Sequence, residues 1–264
     1  TLSAQGQVEA GTNRLLWTLR IGLLKSQKYY VIRDIPLFLK VLVHRKPYMI
    51  GKHYENDLSW DAFDTASQEV LTFLCGLIEE GLSQDLFFPN QGRHLFFPLT
   101  FFEQGVELLM NLEDFHFEHQ LDSYENLLFH DLDPEANLFS FSVKEYPDYF
   151  EMEISETERV NVFYGGAVLF RKGNLYLLNP KQISLLKEVK ELPQEERGRK
   201  CLQFDNSDRD RLAACLPLFG QLGTVSAPER LQIRPFSPIF YFDKEKDGRI
   251  RLDIEFDYGD IKVT

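Results

Sequence analysis

Along residues 250–256 the chain alternates strictly. Ile250, Leu252, Ile254 and Phe256 are apolar, and Arg251, Asp253 and Glu255 between them are charged. A period of two buries one side of an extended strand and leaves the other in water. Ile239–Phe242 runs before it, and Asp247-Gly248 between the two can supply the positive φ values of a tight turn. The pair therefore predicts a β-hairpin. The same stretch, DKEKDGRIRLDI, opens like a calcium loop, with Asp243, Glu245 and Asp247 alternating before Gly248. A calcium-binding EF-hand needs a bidentate Glu at its twelfth position and helices on either side. This chain has Ile254 there and strand patterns at both flanks, so the hairpin reading is preferred.

Elsewhere the period switches between two and 3.6. Leu15–Leu24 and Tyr29–Ile32 read as strands joined by a polar turn, and Ile35–Val43 reads as a helix with Pro36 in its first turn. Tyr48–Ile50 suits a short strand. Phe63, Ala66, Val70, Phe73, Leu74, Leu77 and Ile78 share one helical face, with Asp61 as the cap and Gly81 as the stop. A further helix is expected after Pro98, and a loop within Gln120–Asn137. From Leu138 the pattern is β: 138–143, 149–154, 160–164, 167–170 and 175–178, the last two flanking an Arg171-Lys172-Gly173-Asn174 turn. Asn179-Pro180 opens a helix carrying Ile183, Leu186 and Val189; PQEERGRK (193–200) is a charged loop, and Cys201–Phe204 a strand. Ser207, with Asp210 three residues on, predicts the cap of a helix that buries Leu212, Cys215, Leu216 and Phe219 and meets Pro217. Leu231–Ile233 reads as a strand. The fold class predicted is α+β, β-rich, with antiparallel hairpins and several amphipathic helices. Residues 1–13 are expected to be a flexible segment and 14–264 the domain, with a subdomain boundary near 120–137.

With 44% apolar residues and 23 Phe, the chain can build a large aromatic core. No stretch approaches the roughly 20 apolar residues of a membrane helix, and the first residues lack a secretion pattern. The missing initial Met suggests a piece of a longer protein. Cys75, Cys201 and Cys215 are far apart and odd in number, which fits a reducing compartment and no zinc site. The net charge of −12 is unevenly spread: residues 14–54 hold nine basic residues and one acid (9 − 1 = +8), and residues 55–160 hold three basic and 24 acidic (3 − 24 = −21). Two oppositely charged stretches can face different partners.

Motifs of catalysis are scarce. Gly51-Lys52 precedes His53 and lacks the upstream glycine of a phosphate loop. His116 and His119, among Asp114, Glu118 and Asp122, form the densest metal-like cluster, but HEXXH is absent, no third His follows at a diagnostic interval, and the Phe115/Phe117 alternation suits a strand. No GxSxG occurs. Gly165-Gly166 reads as a turn between strands. Arg45-Lys46 beside Pro47-Tyr48 combines charge with an aromatic ring, as phosphate and base contacts require.

Four runs, YYVIRDIPLFLKVL (29–42), YMIGKHYENDLSWDAFDTASQEVL (48–71), RDRLAACLPLFGQLG (209–223) and IFYFDKEKDGRIRLDIEFDYGD (239–260), resemble the bacterial Swi/Snf helicase-associated domain. Its features here are Tyr30-Val31 with Phe38-Leu39, Leu216-Pro217 with Leu222-Gly223, and Phe256-Asp257-Tyr258-Gly259. The resemblance implies a cytoplasmic, non-catalytic accessory module lying before the ATPase core of a DNA translocase. It implies no catalytic residue, metal or cofactor in this fragment, with ATP and Mg bound at a motor domain outside it. The partners implied are that motor, in the same polypeptide, and duplex DNA, with no membrane. Lys40, Arg45, Lys46 and Lys52, chosen for charge density and neighbouring aromatics, are the candidate DNA contacts. Two competing readings remain: an acidic interaction or autoinhibitory module docking on the motor or another partner, and an enzyme built on the acids or the His116/His119 pair.

Overall fold

A computed structural model describes residues 1–9, 14–23, 28–50, 54–88, 91–132, 138–157, 160–192, 200–231, 237–244, 250–257 and 262–263. The chain divides into two compact units, each discontinuous: Thr1–Leu132 with Glu158–Lys190, and Asp133–Thr157 with Glu191–Thr264.

In the first unit, β1 (Leu2–Glu9) pairs antiparallel with β2 (Arg14–Leu23), which also pairs with β3 (Lys28–Val31). Residues 2–9 are therefore a strand, where a flexible segment was expected. The sequence LSAQGQVE is too small and polar to announce one, yet those small residues are what the position needs. Gly6 lies opposite both Trp17 and Phe117, and a Cβ on it would meet the Trp17 ring at 2.3 Å. The glycine leaves room for two aromatic rings, 5.8 Å apart between centroids, to cover the strand.

Helix α1 (Ile35–Val43) buries Ile35, Phe38, Leu39 and Leu42, and Asp34 caps it by accepting the Leu37 N–H at 2.9 Å. β4 (Pro47–Ile50) and β5 (Tyr54–Asp57) form a two-stranded ribbon. α2 (Thr65–Glu79) follows, buried along Val70, Leu71, Leu74 and Leu77. Its cap is Asp64, which accepts the Ser67 N–H; the predicted Asp61 sits in a 3₁₀ turn, Trp60–Ala62. Ser67 is fully buried, and its Oγ donates to Asp64 and accepts the N–H of Leu2 at 2.8 Å, tying the helix start to β1. A short α3 (Ser83–Leu86) leads into β6 (Phe87–Phe88), β7 (Gln91–Leu95) and α4 (Leu99–Met110), the helix expected after Pro98. β8 (Asp114–His119) runs parallel to β1 and turns back as β9 (Asp122–Tyr124). The sheet order is β6-β7-β2-β1-β8-β9, with β3 also on β2. β10 (Leu128–Asp131) ends this first passage through the unit.

The chain then enters the second unit, where β11 (Phe139–Glu145) and β12 (Tyr149–Glu156) form an alternating hairpin with Phe139, Phe141, Phe150, Met152 and Ile154 buried. It returns to the first unit as β13 (Asn161–Phe163), β14 (Val168–Arg171), β15 (Asn174–Leu177) and α5 (Pro180–Glu191), giving a second sheet there in the order β10-β15-β14-β13. Gly165-Gly166 lies in the 3₁₀ turn between β13 and β14. Tyr164 anchors this return, donating its buried hydroxyl to the Phe97 carbonyl at 2.7 Å; burial pushes that phenol well above its ordinary range. Asn179 caps α5 through Oδ1, and Gln182 reciprocates to the Asn179 N–H.

The second unit is completed by β16 (Lys200–Asp205), α6 (Arg209–Phe219) and β17 (Gly223–Ser226), in sheet order β16-β12-β11-β17. Ser207 does not cap α6. It lies in a 3₁₀ turn, Asn206–Asp208, and the helix begins at Arg209 without a side-chain cap, continuing through Pro217. Leu231 ends a further 3₁₀ turn, where a strand was expected; Gln232 and Ile233 lie outside the described residues. β18 (Ser237–Lys244), β19 (Ile250–Asp257) and β20 (Lys262–Val263) form a three-stranded sheet. Lys244 pairs with Ile250, so the hairpin is present, with Asp247-Gly248 outside the described residues. The architecture is α+β.

Candidate functional site

Three of the four predicted cations, Lys40, Arg45 and Lys46, lie where α1 ends. Lys40 stands in its last turn, and His44 is the C-cap residue. The N–H of Arg45 bonds to the Leu42 carbonyl and that of Lys46 to the Val41 carbonyl, at 3.1 and 3.0 Å, which is the bond pair of a Schellman motif. α2 ends identically, with Gly81 to Ile78 and Leu82 to Leu77. The residue after the cap takes a left-handed conformation in both: Gly81 at φ 87° and Arg45 at φ 50°. Glycine adopts that region without strain and a side chain does not. An arginine there is a local cost.

Lys40, Arg45 and Lys46 are all exposed, as are Arg33 and His44. Lys52 lies outside the described residues. The one acid of the segment, Asp34, is committed to capping α1. Tyr48 packs edge-on to Phe38, 5.2 Å between centroids, and its hydroxyl is pushed up by burial and then by Asp34, with Arg33 opposing. Arg33, Asp34 and Tyr48 therefore share one neighbourhood. Cations at a helix C-terminus are favoured by the helix dipole, and their exposed heads remain available to phosphate oxygens.

The two histidines singled out by sequence do not converge. His116 lies with Asp114 and Glu118, at 3.7 and 3.8 Å. His119, at odd spacing on the same strand, points the other way, edge-on to Phe170 with Nε2 2.9 Å from Asn161 Nδ2. Among the described residues no group of three His, Cys, Asp or Glu side chains could hold a metal ion.

His119 instead borders an open pocket of about 410 Å³, within the range of ligand-sized clefts. Phe170 forms its floor, contacted edge-on by His119 and Tyr124. Asp122 and Tyr124 of β9 supply one wall, with the Tyr124 hydroxyl 3.4 Å from the carboxylate; burial and then Asp122 push that phenol up. Asn161 of β13 and the Arg171-Lys172 corner of the β14–β15 turn face them. Arg171 is oriented by Tyr176, whose hydroxyl accepts from it at 3.0 Å. Gln120 and Lys172, both lining the pocket, have φ 58° and 47°. With Arg45 and Tyr164 they are the non-glycine residues of positive φ among those described. Sequence reasoning identified the Arg171–Asn174 turn and considered His119, but only the packing of Phe170 under β8 and β9 brings them together.

Comparison with curated proteins and with solved structures gives no match. Among protein families, the profile described as "Bacterial SNF2 helicase associated" matches residues 93–264. That range holds the pocket and the runs at 209–223 and 239–260, while Lys40, Arg45 and Lys46 precede it. The chain belongs to the bacterial SNF2 helicase-associated family.

Proposed function

We propose that this chain is a non-catalytic accessory module of a bacterial SNF2-type DNA translocase and that the C-terminal end of α1 engages the phosphates of duplex DNA. The observation that carries the DNA contact is Arg45: an exposed cation, between two others, at a left-handed position that glycine fills in α2. Local rules broken without a packing gain mark functional positions more often than accidents. On this reading the motor in the same polypeptide supplies ATP and Mg, this fragment needs no cofactor, and the site of action is the cytoplasm. No helix among the described residues is long and apolar enough to cross a membrane.

The test is binding of the chain to a short labelled duplex across a salt series. Each phosphate contact should contribute about 0.9 log units of affinity per log unit of salt. Replacing Lys40, Arg45 and Lys46 with Glu should flatten that slope. An unchanged slope removes the assignment of the α1 end. A second reading, docking of the acidic 55–160 stretch on a basic motor surface, is favoured by the exposed Glu103 and Glu107 of α4. Binding to the isolated motor, with no duplex binding at low salt, would select it.

A further inference from the structure

The pocket under β9 has features the DNA reading does not use. β9 ends the larger sheet of the first unit, and β13 ends the four-stranded one. A terminal strand is a template onto which an extended chain can add, its main chain giving affinity and alternate side chains giving specificity. Asp122 and Tyr124 of β9 and Asn161 of β13 both line the cleft, so it runs between two such strands.

Its charge selects among ligands. The β8–β9 side carries Asp122, and the opposite side carries Arg171 and Lys172. A nucleic-acid strand, negative throughout, would meet the Asp122 carboxylate on one wall. A uniformly basic segment would meet the Arg171-Lys172 corner. A peptide bearing both signs satisfies both walls. Between them the half-buried rings of His119 and Tyr124, packed on the buried Phe170, offer an apolar seat. Beside Gln120, at the tip of the β8–β9 hairpin, Leu121 is 102% exposed, a second apolar contact for the same ligand.

We propose that this cleft binds an extended segment of a partner protein, with a basic side chain at Asp122, an acidic one at Lys172 and an apolar one between them against the Tyr124 and His119 rings. Gln120 and Lys172, both of positive φ, sit at the turns that form the two rims. The proposal does not depend on the DNA contact at α1, which lies on different residues and is read by a different assay.

The experiment is selection of a displayed random dodecapeptide library on the immobilised full chain. Titration of the selected peptides, labelled, follows by fluorescence anisotropy. Selected sequences should carry both signs of charge flanking an apolar residue. Lys172→Glu should weaken them about tenfold or more, and exchanging the peptide's acidic residue for Lys should restore binding to that variant. Lys172→Gly suits the positive φ at that turn, so it removes the charge without threatening the fold and should weaken binding as well. Peptides that bind wild type, Lys172→Glu and Lys172→Gly equally overturn the proposal, as does a selection that yields none. An oligothymidylate that binds wild type and is lost with Lys172→Glu would overturn it too, assigning the cleft to nucleic acid.

Discussion

At the scale of single residues, Ser67 shows how a buried polar group can hold a fold together. Its Oγ accepts the Leu2 N–H at 2.8 Å and donates to Asp64 Oδ2 at 2.9 Å, while its own N–H serves the cap. Burial alone would raise the Asp64 carboxyl, but the two Ser67 bonds, the Thr1 ammonium and the Asp64 backbone N–H together outweigh it and the net shift is downward. Removing the hydroxyl leaves the Leu2 N–H buried without an acceptor. Ser67→Ala should therefore cost about 1–3 kcal/mol, seen as a lower urea midpoint at unchanged denaturant slope. Asp64→Asn keeps an oxygen for the cap and should cost less. Equal losses in the two variants would show that the cap, not the link to β1, is what Ser67 supports. Ser67 was invisible in the sequence because its acceptor role involves a residue 65 positions away.

At the scale of elements, what was legible had either a period or a cap. α1 matches its predicted span, because Asp34, Pro36 and the Ile35, Phe38, Leu39 and Leu42 stripe all agree. β14 and β15 meet at the predicted turn, because Lys172 and Gly173 both take positive φ. β1 was missed because its small residues suit their neighbours' rings rather than the strand itself. The cap of α2 lies three residues beyond the predicted Asp61, and the cap predicted for α6 is not made; a 3₁₀ turn precedes each helix. The α1 terminus shows what pattern alone does not reveal: charge density picked out Arg45, but not its backbone geometry. Arg45→Gly should relieve a left-handed side chain and stabilise the chain by about 1 kcal/mol, raising Tm by roughly 2–4 °C. The same variant should weaken duplex binding and flatten its salt dependence. A rise in Tm with unaltered duplex affinity would make Arg45 a neutral irregularity of the helix end. A fall in Tm would mean the arginine side chain makes a stabilising contact of its own.

At the scale of the whole chain, neither charge nor the family match follows the division into units. The positive 14–54 stretch lies in the same unit as most of the negative stretch that follows it, so opposite charges along the sequence do not separate by unit. The family match begins at residue 93, inside β7, and so omits β1, β2, α1 and α2. Those elements are not dispensable to the first unit. β1 lies between β2 and β8, Trp17 covers Phe115 and Phe117, and β7 pairs with β2 at Trp17 and Thr18. A fragment 93–264 would expose Phe97, Val106, Phe115 and Phe117, all buried in the full chain. The second unit lies wholly within that range, at 133–157 and 191–264. The fragment should therefore keep native amide shifts for β11, β12, β16 and β17 but lose shift dispersion across 93–132 and 158–190. It should also bind a hydrophobic dye that the full chain does not. Adding residues 1–92 as a separate polypeptide should restore the lost dispersion if the strands alone specify assembly. Native shifts for β8 and β14 in the fragment alone would mean that the aromatic floor of the pocket holds without Trp17. In that case the family-matched region, and not the larger unit, would be the self-sufficient fold.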